Sequence, residues 1–141
     1  MLRPEAMDAL RGSAHILHAG DIGAPEIVDE LRKTAPVTAV RGNVDRAGWA
    51  RNIGDTEVFQ VESVSIYMLH ILGELDLKPE ASRFGVVVYG HSHVPKAEVK
   101  NGVLYFNPGS AGPRRFKLPV TVGKLVVEGG TVRGEIVRLN V

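Results

Sequence analysis

Apolar residues along this chain fall into two patterns, and the change between them comes just after Asn43. Up to that point short apolar runs alternate with segments at helical spacing. Pro4 to Arg11 reads as a short helix, with proline at its start, Glu5 in the first turn and Gly12 as its stop. His15 to Ala19 reads as a buried strand ending at Gly20-Asp21. From Pro25 to Lys33, the spacing of Ile27, Val28 and Leu31 predicts a second helix, closed by Arg32-Lys33 in the last turn. Pro36 to Val40 is the next strand, ending at Arg41-Gly42-Asn43. A strand, a helix and a strand in this order predict a right-handed parallel crossover.

Beyond Asn43 the pattern is that of strands. Val58 to Val61 and Val64 to Leu69 predict two adjacent strands, and the β-branched run Val86 to Tyr89 predicts a central one. Val99 to Leu104 carries an Asn101-Gly102 pair, the signature of a type I′ hairpin. Val122 to Val127 and Val132 to Leu139 flank Gly129-Gly130 as a second hairpin. The chain thus passes from parallel α/β to antiparallel β, with no linker, repeat or low-complexity tract.

Composition narrows this picture. A length of 141 residues, 44% hydrophobic and 23% charged, suits one domain spanning 1–141 with a real core. A net charge of +1 gives no reason to expect nucleic acid or an anionic membrane as partner, and Arg114-Arg115-Phe116-Lys117 reads as a solvated loop. Without cysteine, disulfides and thiolate zinc sites are excluded, so any metal is held by imidazole, carboxylate, amide or water. The opening residues lack the apolar stretch of a signal peptide and no segment approaches a membrane span, so a cytoplasmic protein is expected. A homo-oligomer is compatible with the sequence, which does not fix the oligomeric state.

The polar residues of interest each follow an apolar strand: Asp21, Asn43, His70, and His91 and His93 in Gly90-His91-Ser92-His93. Ligand sites in sheets with parallel strands form outside the strands' carboxyl ends. Loops from four strands therefore bring oxygen and nitrogen donors to one crevice, a set suited to divalent manganese, iron, cobalt, nickel or zinc. Each piece has a plainer reading on its own. Gly20-Asp21 makes a turn or helix cap, Asn43 tolerates a left-handed turn, and an isolated apolar-flanked histidine packs in a core. His91-Ser92-His93 is stronger, because two imidazoles in one loop reach one ion or two neighbouring ions. His15 and His18 fall within a strand and read as packing or solvent-facing.

In combination, Gly20-Asp21, Gly42-Asn43, the strand-terminal His70, Gly90-His91-Ser92-His93 and Asn107-Pro108-Gly109-Ser110 resemble, in order, the motifs of calcineurin-like metallophosphoesterases. The resemblance covers nearly the whole chain and is closest to the small prokaryotic phosphodiesterase branch, related to the retromer small subunit. It implies a four-layer αββα sandwich of two mixed sheets. It also implies two metals bridged by Asp21, with Asn43, His70 and His91 completing one site and His93 contributing to the other. The family's opening strand, which ends in an Asp-x-His motif and supplies further ligands, has no counterpart here. The resemblance therefore implies an N-terminally truncated fold with an incomplete two-metal site, a slot in the core and lowered stability. Where broader relatives carry a leaving-group histidine, this chain has Val44; after His70 it has Ile71 in place of glycine, expected to narrow the pocket mouth.

The function so implied is hydrolysis of a small phosphoester, most simply a phosphodiester, by metal-activated water. Manganese is the first expectation for the metal, with nickel, cobalt, iron or zinc as alternatives, and Asp21 and His93 act in catalysis. The alternative is a non-catalytic binding or scaffold protein on the same fold. A nuclease, as among larger relatives, finds no basic groove in the charge pattern.

Overall fold

The computed structural model describes residues 2–43, 45, 48–112 and 118–141. Val44 and Arg114 to Lys117, singled out in the sequence, lie outside the described residues. Helix α1 spans Pro4–Leu10, and β1 (Ile16–His18), α2 (Pro25–Arg32) and β2 (Val37–Ala39) follow. β1 and β2 pair in parallel, Ile16 opposite Val37, as the strand–helix–strand pattern requires. Both helices begin at proline with an acid in the first turn. β1 ends at His18, and the carbonyl of the next residue, Ala19, accepts a side-chain hydrogen bond from His70.

The larger sheet holds β3 (Thr56–Val61), β4 (Val64–Leu69), β5 (Val86–Val88), β6 (Lys96–Lys100) and β7 (Val103–Asn107) in the order β3-β4-β5-β7-β6. Strands β4, β5 and β7 run parallel, so their carboxyl ends share one edge. β5 is fully buried, as its Val86-Val87-Val88 run predicts. The β6–β7 turn has positive φ at both Asn101 (52°) and Gly102 (78°), the type I′ geometry. β8 (Thr121–Glu128) and β9 (Thr131–Arg138) form the second hairpin around Gly129-Gly130.

The layers are held by three apolar clusters. The central one places Ile66, Met68, Val86, Val88, Leu104 and Phe106 of the five-stranded sheet against Leu17 of β1 and Leu125, Val127, Val132 and Ile136 of the β8–β9 hairpin. Outside β1, Leu2, Met7, Leu10, Ile27 and Leu31 of the helical layer pack on Ile16. On the far face Tyr67, Leu69, Val87 and Tyr89 are covered by Leu72, Leu75, Leu77 and Phe84. That outer layer is a loop with one 3₁₀ turn (Leu72–Glu74), where the family resemblance implied a helix. The smaller sheet is divided among the described residues into the β1–β2 pair and the β8–β9 pair. A cavity of about 350 Å³ lies between them, lined by Leu17 and His18 on one side and Thr121 to Gly123 on the other.

Phe106 locks the hairpin to the large sheet. A β-carbon on Gly123 or Gly134 would run into its ring, so both glycines provide space for the aromatic side chain. Replacing Gly134 by alanine is expected to cost about 1–3 kcal/mol through overpacking, although the site is on an outer hairpin. Urea unfolding at constant m-value measures this; an unchanged midpoint would show that Phe106 does not seat against β9.

Candidate functional site

The carboxyl ends of β1, β2, β4, β5 and β7 bring the candidate residues to one end of the molecule. Asp21, His70, His91 and His93 all line the cavity, together with His18 and an apolar wall that includes Leu2, Leu10, Ile16 and Ile22. Asn43 sits in an exposed turn outside the lining, directly after Gly42. Ile71, expected to narrow the mouth, is not among the lining residues.

Two glycines set how closely these loops approach. A β-carbon on Gly20 would strike the His70 ring and Gly42, and one on Gly42 would strike the backbone and carboxylate of Asp21. With hydrogen in those places, the loops after β1 and β2 close directly onto the end of β4.

His70 is buried, and its Nδ1 lies 2.7 Å from the Ala19 carbonyl oxygen. A carbonyl only accepts, so Nδ1 carries the proton and donates it. The lone pair is left on Nε2, which is 3.2 Å from Oδ2 of Asp21 and makes no hydrogen bond among the described residues. Nε2 and the carboxylate thus lie side by side without a hydrogen bond between them, His70 buried and Asp21 partly exposed. A histidine with one nitrogen anchored to a backbone carbonyl and the other bare is the usual arrangement of a metal ligand. The His91 ring stands 5.3 Å from that of His70, edge to face. Among the described residues no three His, Asp or Glu side chains form a closed metal-binding cluster; Asp21 and His70 are the pair in contact.

Three candidate residues occupy left-handed backbone: Asp21 (φ 55°), His91 (φ 71°) and His93 (φ 63°). Each such residue costs about 1–3 kcal/mol and persists where its surroundings fix it. Asn107, fully buried, supplies that restraint for the histidine loop. Its Nδ2 donates to the Gly90 carbonyl and to Ser92 Oγ, both at 3.2 Å, and its Oδ1 accepts from the Gly109 amide at 2.9 Å. Ser92 Oγ in turn accepts from the Val94 amide.

Two nearby residues escaped the sequence reading. His15 does pack, stacked on Phe59 and bonded to Thr38 Oγ1. His18 is part of the site: it lines the cavity, and its Nδ1 accepts from the Gly20 amide at 3.2 Å. Burial holds its imidazole below the usual range, opposed by the carboxylates of Asp45 and Asp21 and reinforced by His70. The signal available was alternation, which puts His18 on the Ile16 face beneath the helices. Asp45, two residues after Asn43, is also buried and bonded to backbone amides in the loops after β1 and β2.

A model of the calcineurin-like phosphoesterase superfamily domain matches residues 1–130. The chain belongs to this superfamily. Within it, the chain is 32% identical to a probable metallophosphoesterase of Methanothermobacter thermautotrophicus, over 96% of this chain and 82% of that protein. It is 29% identical to the phosphodiesterase YfcE of Escherichia coli K12, over 71% of this chain and 58% of that protein. The fold is similar to that of zinc-complexed Vps29 from Entamoeba histolytica, with a TM-score of 0.75, 21% identity, and coverage of 99% of this chain and 91% of the other. The layered α/β architecture expected from the sequence is the superfamily's own.

The tautomer of His70 is directly measurable. Long-range ¹H–¹⁵N spectra of the metal-free protein are expected to show Nδ1 protonated and Nε2 bare. A protonated Nε2 bonded to Asp21 would contradict the reading of this pair.

Proposed function

We propose that this chain hydrolyses a phosphodiester in a reaction that depends on a divalent metal, manganese first among candidates. In this reading Asp21, Asn43, His70 and His91 hold one ion, and Asp21 and His93 face a second position. The observation that carries it is the bare, buried Nε2 of His70 beside the Asp21 carboxylate, a contact that a cation between the two would make favourable. The donor set of carboxylate, amide and imidazole fits manganese, and equally iron, cobalt, nickel or zinc. A bound divalent ion supplies Lewis acidity and lowers the pKa of water.

The protein's own groups account for the rest. Ala19 fixes the His70 ring and Asn107 fixes the loop that carries His91 and His93; His93, which lines the cavity, steadies negative charge on phosphorus-bound oxygen in this reading. The cavity wall favours a diester over a monoester. Leu2, Leu10, Ile16 and Ile22 of that wall offer an apolar surface to the organic substituent of a diester. The phosphodiesterase name of a 29%-identical relative supports the same class.

The scaffold alternative draws on one observation, the lack of a closed three-residue metal cluster among the described residues. One experiment separates the two readings. The wild-type chain is expected to hydrolyse a bis-aryl phosphodiester with manganese stimulation. Chelation, Asp21→Ala or His70→Ala should each lower kcat/KM by at least about 100-fold, corresponding to several kcal/mol of lost charge stabilisation. A folded protein whose stability does not depend on metal and which shows no turnover would contradict the enzyme reading and support the scaffold.

A further inference from the structure

We propose that Asp45 is a positioning residue for the metal: its one carboxylate fastens together the two loops that carry Asp21 and Asn43. The inference rests on the metal-binding reading of the site. Asp45 is 2% exposed, and both of its oxygens are used by backbone donors. Oδ2 accepts from the amides of Ile22 (3.0 Å) and Gly42 (2.9 Å), and Oδ1 accepts from the amide of Gly23 (2.9 Å). Ile22 and Gly23 directly follow Asp21; Gly42 directly precedes Asn43. A single oxygen therefore spans the loop after β1 and the loop after β2.

Several features make this link necessary. β1 and β2 pair only as far as Ala39, with one further backbone bond from the Val40 amide to the His18 carbonyl, so the ladder itself does not reach either candidate ligand. Asp21 is held at positive φ, and the following Ile22 is buried with its amide satisfied by Asp45. At the start of α2, Ala24 offers no side-chain cap, so the approach to the helix depends on the Gly23 amide finding the same carboxylate. The Asp45 amide also donates to the Gly42 carbonyl at 3.2 Å, closing the turn that carries Asn43. Asp45 does not line the cavity, so it acts through the residues it holds.

The chemistry of an amide at this position defines the test. Asparagine has the same shape, but only one of its two terminal atoms accepts, so it cannot serve three N–H donors on both sides. It keeps either the two-loop bridge or the Gly23 bond and turns an NH₂ toward an amide on the other side. Loss of a group that orients metal ligands typically weakens metal binding about 10–100-fold.

The experiment titrates manganese into the wild-type chain, Asp45→Asn and the control Asp55→Asn by calorimetry, at a temperature where circular dichroism shows each folded. Asp55 is an exposed acid bonded to the Arg41 guanidinium in the loop after β2; among the described residues it accepts from no backbone amide of either loop, so its replacement controls for the loss of a nearby negative charge. The expected result is wild-type affinity for Asp55→Asn and about 10–100-fold weaker binding for Asp45→Asn. Turnover of Asp45→Asn should approach the wild-type kcat once manganese is saturating, since Asp45 touches no substrate. Affinity of Asp45→Asn within about twofold of wild type, well below that range, overturns the proposal. Wild-type protein that binds no manganese overturns the metal reading, and this inference with it. Should Asp45→Asn fail to fold, amide exchange of the wild type decides: manganese must slow Ile22, Gly23 and Gly42 by more than the distant hairpin residue Gly102. Equal slowing overturns the proposal.

Discussion

The site depends on a single imidazole held between two sheets. His70 ends β4 of the large sheet, and its Nδ1 proton is committed to the Ala19 carbonyl at the end of β1. That bond ties the sheets together and fixes which ring nitrogen is bare. Because Gly20 and Gly42 carry no β-carbon, the Asp21 loop closes to 3.2 Å from that nitrogen. Two electron-rich atoms so close are unfavourable together unless a positive charge lies between them. In the proposed reading, a divalent cation binds between the two and makes their closeness favourable.

Buried polar side chains keep that arrangement in place. Asn107 and Asp45 occupy equivalent positions in the logic of the site, each spending its hydrogen bonds on the backbone of loops that carry donors. Asn107 grips the loop of His91 and His93, and Asp45 grips those of Asp21 and Asn43. Both are almost fully buried and would be costly in the core without those partners. The left-handed backbone at Asp21, His91 and His93 shows what they oppose, since unrestrained loops would relax toward ordinary φ.

Much of this was legible in the sequence. The Asn101-Gly102 and Gly129-Gly130 hairpins, the buried Val86 to Val88 strand and the parallel β1–β2 unit follow from local pattern. Asp21, His70, His91 and His93 were picked out as candidates because each comes soon after a strand, and all four line the cavity. What escaped was long-range. His18 reads as one more residue of an apolar run, and its place at the cavity depends on Asp21, Asp45 and His70 folding around it. The role of Asp45 depends on amides more than twenty positions earlier, which no local pattern announces. The outer layer made of a loop and one 3₁₀ turn was likewise hidden, because alternation shows which residues face inward but not which elements cover them.

The most direct test is anomalous diffraction from crystals of the wild-type chain grown with manganese. A peak within about 2.0–2.3 Å of both His70 Nε2 and an Asp21 carboxylate oxygen is the expected result, with Nδ1 still on the Ala19 carbonyl. A crystal in which that space holds no peak, and His70 Nε2 is instead hydrogen-bonded to Asp21, would contradict the account at its centre.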